Sequence, residues 1–76
     1  MSAFTLTYNA GAELRRVRAT RSGRQWLVLD ELGDDKRVVE LVDALDEADA
    51  VARDYVAQAT AAGRPLVRCP GADEDA

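Results

Sequence analysis

The side chains of this sequence that could carry out chemistry are its carboxylates, its arginines and one thiol. Among 76 residues there are 14 acids, 10 bases, one cysteine and no histidine. Histidine is the usual general acid or base near neutral pH, so neither a common catalytic triad nor a Cys/His zinc site can be built. Cys69 has no second thiol for an internal disulfide and no histidine to activate it. We therefore expect a protein that is not an enzyme and needs no cofactor or metal.

The acids gather around a predicted turn and at the start of a predicted helix. Paired carboxylates could do acid–base work or hold a divalent ion, but the turn lacks the alternating ligand spacing and final glutamate of a calcium loop. Acids at a helix start also suit the helix dipole. An acidic surface would instead dock against a basic protein, because charge complementarity speeds encounter and sets specificity. The candidate partner-binding residues are Asp30, Glu31, Asp34, Asp35, Asp46 and Glu47.

Five arginines cluster around one predicted hairpin. Such a ribbon could contact phosphates, which arginine recognises in a bidentate manner. The alternative is a solvated face whose arginines pair with Asp30, Glu31 or Glu40 on neighbouring strands. The net charge of −4 favours this second interpretation. Trp26 is interpreted as a core residue or as the anchor of an interface. The candidate interface or nucleic-acid residues are Arg15, Arg16, Arg18, Arg21, Arg24 and Trp26.

The charges also separate along the sequence. Residues 1–29 carry five arginines and one acid, Glu13, whereas residues 30–76 carry five bases and thirteen acids. This pattern predicts a polar molecule with one basic end and one acidic end.

The elements that position these residues begin with a β-meander. Runs of alternating or continuous apolar residues are separated by turn residues, of which Ser22-Gly23 suits a tight hairpin. The runs predict three or four antiparallel strands. They cover residues 3–8, 12–20, 25–32 and 36–42.

The apolar period then changes to three and four residues, which predicts an amphipathic helix over about 45–62. Asp43 or Asp46 can cap its start, and Gly63 suits its end. Residues 66–69 could add a short final strand. The predicted fold class is α+β, an antiparallel meander of three to four strands packed on one C-terminal helix.

The length predicts one domain. We expect it to cover residues 1–69, followed by a disordered acidic tail over 70–76. No apolar run approaches the roughly 20 residues that span a bilayer, and residues 1–5 lack the basic start and apolar centre of a signal peptide. Together with the lone Cys69, these features predict a cytoplasmic protein without membrane contact. The arginine-rich, lysine-poor composition resembles coding by a GC-rich bacterial or phage genome.

The third predicted strand is apolar on both faces. Trp26 and Val28 would point to one face, and Leu27 and Leu29 to the other. A single helix covers only one face of a sheet, so the second face predicts a partner. A second copy of the chain is the most economical one, and we expect a homodimer. The alternative is that the N-terminal strand or residues 66–69 cover this face.

The order of elements resembles the HicB-type antitoxin family over residues 14–62. A hairpin through Arg-Ser-Gly-Arg-Gln-Trp precedes two strands, and Ala-Leu-Asp-Glu-Ala at 44–48 opens the helix. In that family a partial-RNase-H-like sheet carries a helix introduced by a similar run. The Pro-Asp-Leu-Pro-Gly-Cys segment of the family corresponds at most to residues 30–33, without the prolines and the cysteine, and no separate DNA-binding segment follows the helix.

The resemblance implies a dimeric, non-enzymatic protein-binding module that neutralises a basic RNA-cleaving partner by occlusion. Two other classes fit the same residues. One is a small nucleic-acid-associated regulator that acts through the arginine hairpin. The other is a phage-type inhibitor whose acids mimic nucleic acid.

Overall fold

The computed structural model describes residues 2–68, which form one antiparallel sheet of four strands and one helix. Strand order in the sheet follows the sequence, because each strand pairs with the next through a short turn. The helix packs on one face of the sheet. This architecture confirms the predicted α+β fold. The elements are β1 (Ser2–Ala10), β2 (Glu13–Ser22), β3 (Gln25–Leu32), β4 (Asp35–Val42) and α1 (Leu45–Ala62).

Within residues 2–68, four glycines adopt a positive φ at which other residues would be strained, and two of them show how the chain turns. Gly23 opens the β2–β3 turn at φ 61°, in the left-handed region that hairpin turns require. Gly63 ends α1 at φ 72°, and its N–H donates to the carbonyl oxygen of Ala59 at 2.8 Å. The predicted helix end is therefore confirmed.

The predicted cap at the start of α1 is wrong. Ala44 occupies the N-cap position, and no side chain in the described part of the chain caps the helix. Asp46 instead lies inside the first turn, where its Oδ1 accepts a hydrogen bond from the Glu47 N–H at 3.1 Å. Asp46 and Glu47 still lie at the positive end of the helix dipole, which stabilises carboxylates.

The core lies between α1 and one face of the sheet. Small alanines dominate the buried stripe of the helix, which lets the helix approach the strands closely. Leu45 and Ala62 at its ends stay exposed, so the stripe is shorter than the sequence pattern. The buried core residues are Tyr8, Ala10, Val17, Ala19, Val28, Val42, Ala48, Ala52, Tyr55 and Ala59.

The helix runs from one end of the sheet to the other. Its C-terminal Gly63 lies beside the β1–β2 turn, where a Cβ added to Gly11 would be 3.4 Å from the Gly63 carbonyl oxygen. Its start follows β4, whose last residue, Val42, pairs with Trp26 beside the β2–β3 turn. We call these two ends the Gly11 end and the Gly23 end.

The segment after the helix packs on the helix side of the sheet. The Leu66 N–H donates to the Tyr55 hydroxyl at 3.1 Å, and Arg37 Nη1 donates to the Val67 carbonyl oxygen at 3.0 Å. Residues 66–68 are irregular, so the final strand expected there does not form over these residues. Cys69 and the expected tail at 70–76 lie outside the described residues. No helix within residues 2–68 is long and apolar enough to cross a membrane.

Candidate functional site

The arginines of β2 point to both faces of the sheet, because successive residues of a strand alternate. Arg15 lies opposite Tyr8, on the face that packs against α1. Arg16 and Arg18 lie on the other face. The arginine cluster expected from the sequence is therefore divided between the two faces.

Arg15 and Asp30 form a buried ion pair, with Arg15 Nε 2.8 Å from Asp30 Oδ1. Their side chains are 1% and 0% exposed. The Tyr8 hydroxyl donates to Asp30 Oδ2 at 2.5 Å, and the Tyr55 hydroxyl donates to the same oxygen. The two tyrosine rings meet edge to face, with centroids 6.2 Å apart. Asp30 thus joins β1, β2, β3 and α1, and its expected role as a partner-binding acid is replaced by a structural one.

The charge states of this cluster follow from its burial. Burial raises the pKa of Tyr8, and the hydrogen bond to Asp30 raises it further. Burial and Asp30 likewise raise the pKa of Tyr55. Burial acts to lower the pKa of Arg15, but hydrogen bonding and attraction to Asp30 outweigh it and leave this pKa raised. The tyrosines therefore act as neutral donors to a buried carboxylate that Arg15 neutralises, which is an arrangement that holds elements together.

Asp35 extends this network at the Gly11 end. It accepts two hydrogen bonds from Arg37, both at 3.1 Å, and one from Arg15 Nη1 at 3.2 Å. The Arg37 guanidinium, together with Arg15, lowers the pKa of Asp35. Since Arg37 also holds the Val67 carbonyl, Asp35 helps to attach the segment after the helix. Its carboxylate is already engaged within the chain.

Arg18 and Glu31 form a second cross-strand pair, on the face opposite α1. Arg18 Nε lies 2.7 Å from Glu31 Oε1, and the Glu31 side chain is 8% exposed. Glu31 therefore offers little surface to a partner, contrary to the expectation from the sequence. The pairs of Arg15 with Asp30 and of Arg18 with Glu31 confirm the alternative in which the arginines pair across strands. Arg15, however, is buried rather than solvated.

The remaining hairpin arginines do not form one continuous patch. The Arg21 guanidinium lies 5.4 Å from the ring centroid of Trp26, a cation–π contact, and its Nε donates to the Gly23 carbonyl at 3.0 Å. Trp26 is half-buried and packs against the core. Arg16 and Arg24 are exposed. Arg24 lies in the turn at the Gly23 end, whereas Arg16 lies towards the Gly11 end, so the two are separated along β2.

The exposed acids are also separated. Asp34 lies in the β3–β4 turn at the Gly11 end, whereas Asp46 and Glu47 open α1 at the Gly23 end. The basic hairpin turn and the acidic helix start thus share one end of the molecule. The sequence pattern of one basic and one acidic end is therefore not reproduced in space.

Acidic charge instead covers the outer side of α1. Residues 40–58 carry six acids and one base, Arg53. Arg53 pairs with Asp49 at 3.1 Å within the helix. We call the surface formed by the α1 acids and by Glu40 of the adjoining β4 the acidic helix face; it consists of Glu40, Asp46, Glu47, Asp49 and Asp54.

A groove of about 260 Å³ opens on the acidic helix face between β4, α1 and residues 66–67. Val39, Val51 and Leu66 line it with apolar atoms, and Glu40 and Asp54 line it with carboxylates. Val39 reaches the groove because of a register shift, in which Val28 pairs with Glu40 but Leu29 pairs with Val38. Such a groove suits an apolar side chain flanked by basic residues.

The sheet face opposite α1 carries an apolar centre, and we call it the open face. Leu27 pairs with Leu41, and Leu29 pairs with Val38. Val38 and Leu41 are 50% and 46% exposed, Leu27 is half-buried, and Leu29 is buried by its neighbours. The two segments that the sequence offered as alternative covers of this face lie elsewhere. Strand β1 pairs with β2 at the edge of the sheet, and residues 66–67 contact the helix side of the sheet. Nothing within residues 2–68 covers the open face.

Tyr8 and Tyr55 were missed as functional candidates, and two patterns could have pointed to them. Asp30 lies two and four residues after Val28 and Trp26, so strand alternation places all three side chains on the same, buried face. A charged group buried there needs hydrogen-bond donors. Tyr8 and Tyr55 each lie within an apolar stripe that faces the core. A tyrosine at such a position usually finds a partner for its hydroxyl.

Comparison with known proteins finds no matching family model, no matching curated protein and no matching solved structure. The resemblance to HicB-type antitoxins therefore stays a prediction from the sequence. Among the described residues there is no group of three or more Cys, Asp or Glu residues arranged to hold a metal ion.

Proposed function

We propose that this chain is a non-enzymatic protein-binding module that self-associates through the open face and binds a basic protein through the acidic helix face. The observation that carries the proposal is the open face, where Val38 and Leu41 extend an apolar surface into solvent. Exposed apolar clusters of this kind mark interaction sites in small proteins. The acidic helix face supports the second half of the proposal through its excess of carboxylates and its apolar groove.

The finer form of the proposal is a HicB-like antitoxin that neutralises a basic RNA-cleaving protein by occlusion. Asp46 and Glu47 are exposed on the acidic helix face, and both lie in the segment on which the sequence resemblance rests. Electrostatic attraction would speed the encounter, and the groove beside Asp54 would take an apolar side chain of the partner. Such a cytoplasmic inhibitor needs no catalytic residue of its own.

The nucleic-acid alternative has less support from the geometry. Arg15 is buried, Arg18 pairs with Glu31, and Arg21 stacks on Trp26. Phosphate binding of useful strength generally needs several arginines or lysines on one surface. A phage-type inhibitor that mimics nucleic acid would use the same acidic helix face as the proposed module, so it differs only in the partner that it captures.

The test is affinity purification with three baits: the wild-type chain, the helix-face variant Asp46→Lys/Glu47→Lys, and the matched control Glu13→Lys/Asp34→Lys at the other end. The control and the helix-face variant each reverse two exposed carboxylates and change the net charge equally. We expect the wild-type chain and this control to recover the same basic protein, identified by mass spectrometry, and the helix-face variant to lose it. Recovery of the bait alone would contradict the hetero-partner. Nucleic acid recovered in a salt-dependent manner, and lost in Arg16→Ala/Arg18→Ala, would support the regulator instead.

A further inference from the structure

The open face contains a ladder of four residue pairs, of which three join β3 to β4 and one joins Gln25 of β3 to Asp43, the residue after β4. Two apolar pairs form its middle, and a pair with a carboxylate closes each end. At the Gly23 end, Gln25 Nε2 donates to Asp43 Oδ1 at 2.9 Å. In order, the pairs are Gln25–Asp43, Leu27–Leu41, Leu29–Val38 and Glu31–Lys36.

The order of charged and apolar residues along the ladder is nearly the same when it is read from the opposite end. Consider a half-turn about an axis that crosses the strands at the middle of the ladder. Along β4 and the residue that follows it, this half-turn exchanges Lys36 with Asp43 and Val38 with Leu41. The same half-turn exchanges Leu27 with Leu29 on β3. Two copies facing each other in this way would oppose apolar side chains at the centre. At both ends they would oppose an ammonium group and a carboxylate.

The neighbouring strand is compatible with this symmetry. Cross-strand register places Arg18 opposite Leu29 and Thr20 opposite Leu27. The half-turn therefore brings Arg18 over Thr20 of the other copy, and Arg16 over Ser22. No two cations of β2 would face each other, although the open face carries more bases than acids.

We infer that the occupant of the open face is a second copy of this chain. The two sheets pack face to face, with the two-fold axis across the strands and Lys36 of each copy against the partner's Asp43. The inference rests on the proposed function, because it assigns the self-association surface of the protein-binding module. It goes further by fixing the symmetry axis and the residues in contact.

Two other two-fold arrangements fit the surface less well. With a two-fold axis along the strands, only β3 and β4 of the two copies would overlap. Lys36 would then lie over the partner's Glu31, which Arg18 of the same copy already binds at 2.7 Å. Edge-to-edge pairing of β4 is disfavoured by the extra residue Val39, because a bulge interrupts the hydrogen-bonding edge of a strand.

The size of the face sets the expected strength of the dimer. Four strands of about 26 Å, spaced about 4.8 Å apart, give a flat area of roughly 500 Å² per copy. Two copies would bury on the order of 1,000 Å² by this measure, near the lower limit for specific protein interfaces. The dimer should therefore dissociate on dilution, and measurements over a range of concentrations are required.

The experiment is sedimentation velocity on the full chain and on charge-reversal variants. The wild-type chain should dimerise at tens of micromolar. Lys36→Asp and Asp43→Lys should each weaken the dimer by about tenfold, because each opposes like charges at both symmetric contacts. The double variant Lys36→Asp/Asp43→Lys should restore the dimer, since it exchanges the partners of each contact.

Two controls separate the interface from folding and from net charge. Asp34→Lys reverses an exposed charge outside the ladder and should leave dimerisation unchanged, and circular dichroism should show the same fold in every variant. A strict monomer at tens of micromolar would overturn the inference, while capture of a basic protein by the acidic helix face would still support the other half of the proposed function. A dimer that the double variant fails to restore would overturn the antiparallel arrangement.

Discussion

Arg15 and Asp30 form a fully buried ion pair in the middle of this small protein, with Arg15 Nε 2.8 Å from Asp30 Oδ1. The pair joins strands β2 and β3, and the hydroxyls of Tyr8 and Tyr55 add β1 and α1 through the other carboxylate oxygen. A buried charge is tolerated only with such compensation. The core of this chain therefore combines apolar packing with a buried polar network that joins three strands and the helix.

Loss of the Asp30 charge should destabilise the fold more than any surface change. Asp30→Asn removes the buried counter-ion of Arg15 Nε and leaves the Arg15 guanidinium with the more exposed Asp35 and Glu13. Removal of one partner of a buried pair costs roughly 3–5 kcal/mol. Urea unfolding monitored by circular dichroism will measure the change. Asp34→Asn, which removes an exposed carboxylate nearby, should change the free energy of unfolding by less than about 0.5 kcal/mol. A similar small loss for Asp30→Asn would show that the pair is not structural.

High pH should unfold the chain through its tyrosines. The pKa of Tyr8 and that of Tyr55 are raised in the folded state above the ordinary value of 10.0. Their contribution to stability is complete below 10.0 and is lost as pH rises above it, because the unfolded chain then releases protons that the folded chain retains. Tyrosinate absorption should therefore appear together with unfolding, well above pH 10.0.

Tyr8→Phe isolates one of these contributions. At neutral pH it should cost roughly 1–3 kcal/mol, because a buried carboxylate loses a donor. Above pH 10.0 the variant should lose stability less steeply than the wild-type chain, by up to about 1.4 kcal/mol per pH unit, since one tyrosine no longer titrates. An unchanged slope would contradict the raised pKa of Tyr8.

Acid should weaken the attachment of the segment after the helix. The pKa of Asp35 is lowered from 3.8 by the Arg37 guanidinium and by Arg15. The stabilisation is complete above pH 3.8 and is lost as pH falls through the lowered value, when Asp35 gains a proton. The protection of the Leu66 N–H, which binds Tyr55, should fall over this acid range when its exchange rate is compared with the intrinsic rate at the same pH.

Asp35→Asn should remove this acid-dependent change. At pH 5 and above, about one unit over the ordinary aspartate pKa, the Leu66 amide of the variant should exchange faster than that of the wild-type chain. Asp34→Asn removes the same formal charge from the adjacent residue and therefore controls for net charge. Equal effects of the two substitutions would show that net charge, rather than the contact with Arg37, is responsible.

The helix end should be sensitive to a single methyl group. Gly63 adopts φ 72°, a backbone conformation that is strained for any residue with a Cβ. A Cβ at this position would meet no steric clash, because the nearest atom, Gly11 N, would be 4.0 Å away. Gly63→Ala should therefore lower the free energy of unfolding by about 1 kcal/mol through backbone strain alone. Ala61 lies inside the last turn of α1, where alanine is favoured over glycine. Ala61→Gly should therefore lower the free energy of unfolding by a similar amount. Stabilisation by Gly63→Ala would contradict the left-handed conformation.

Local patterns along the sequence account for most of the secondary structure and for its order. Strand alternation, the turn glycines and the three-and-four spacing after residue 44 are local patterns, so they predicted three or four strands and a helix over about 45–62. The structure has four strands, and its helix covers Leu45–Ala62. They also predicted that β3 is apolar on both faces. The wrong prediction of the helix N-cap shows the limit of local patterns. Asp43 and Asp46 both have side chains that favour the N-cap position, but Ala44 occupies it.

Which charged residues are accessible to a partner depends on how α1 packs on the sheet. Asp30 and Asp34 are both partner-binding candidates in the sequence, but α1 packs over the first and leaves the second in an exposed turn. Strand alternation places Arg15 and Arg16 on opposite faces, and the packing of α1 decides that Arg15 is the one that is buried. The physical reason is that burial and ion pairing depend on distances between residues far apart in sequence, and sheet register and helix packing set those distances.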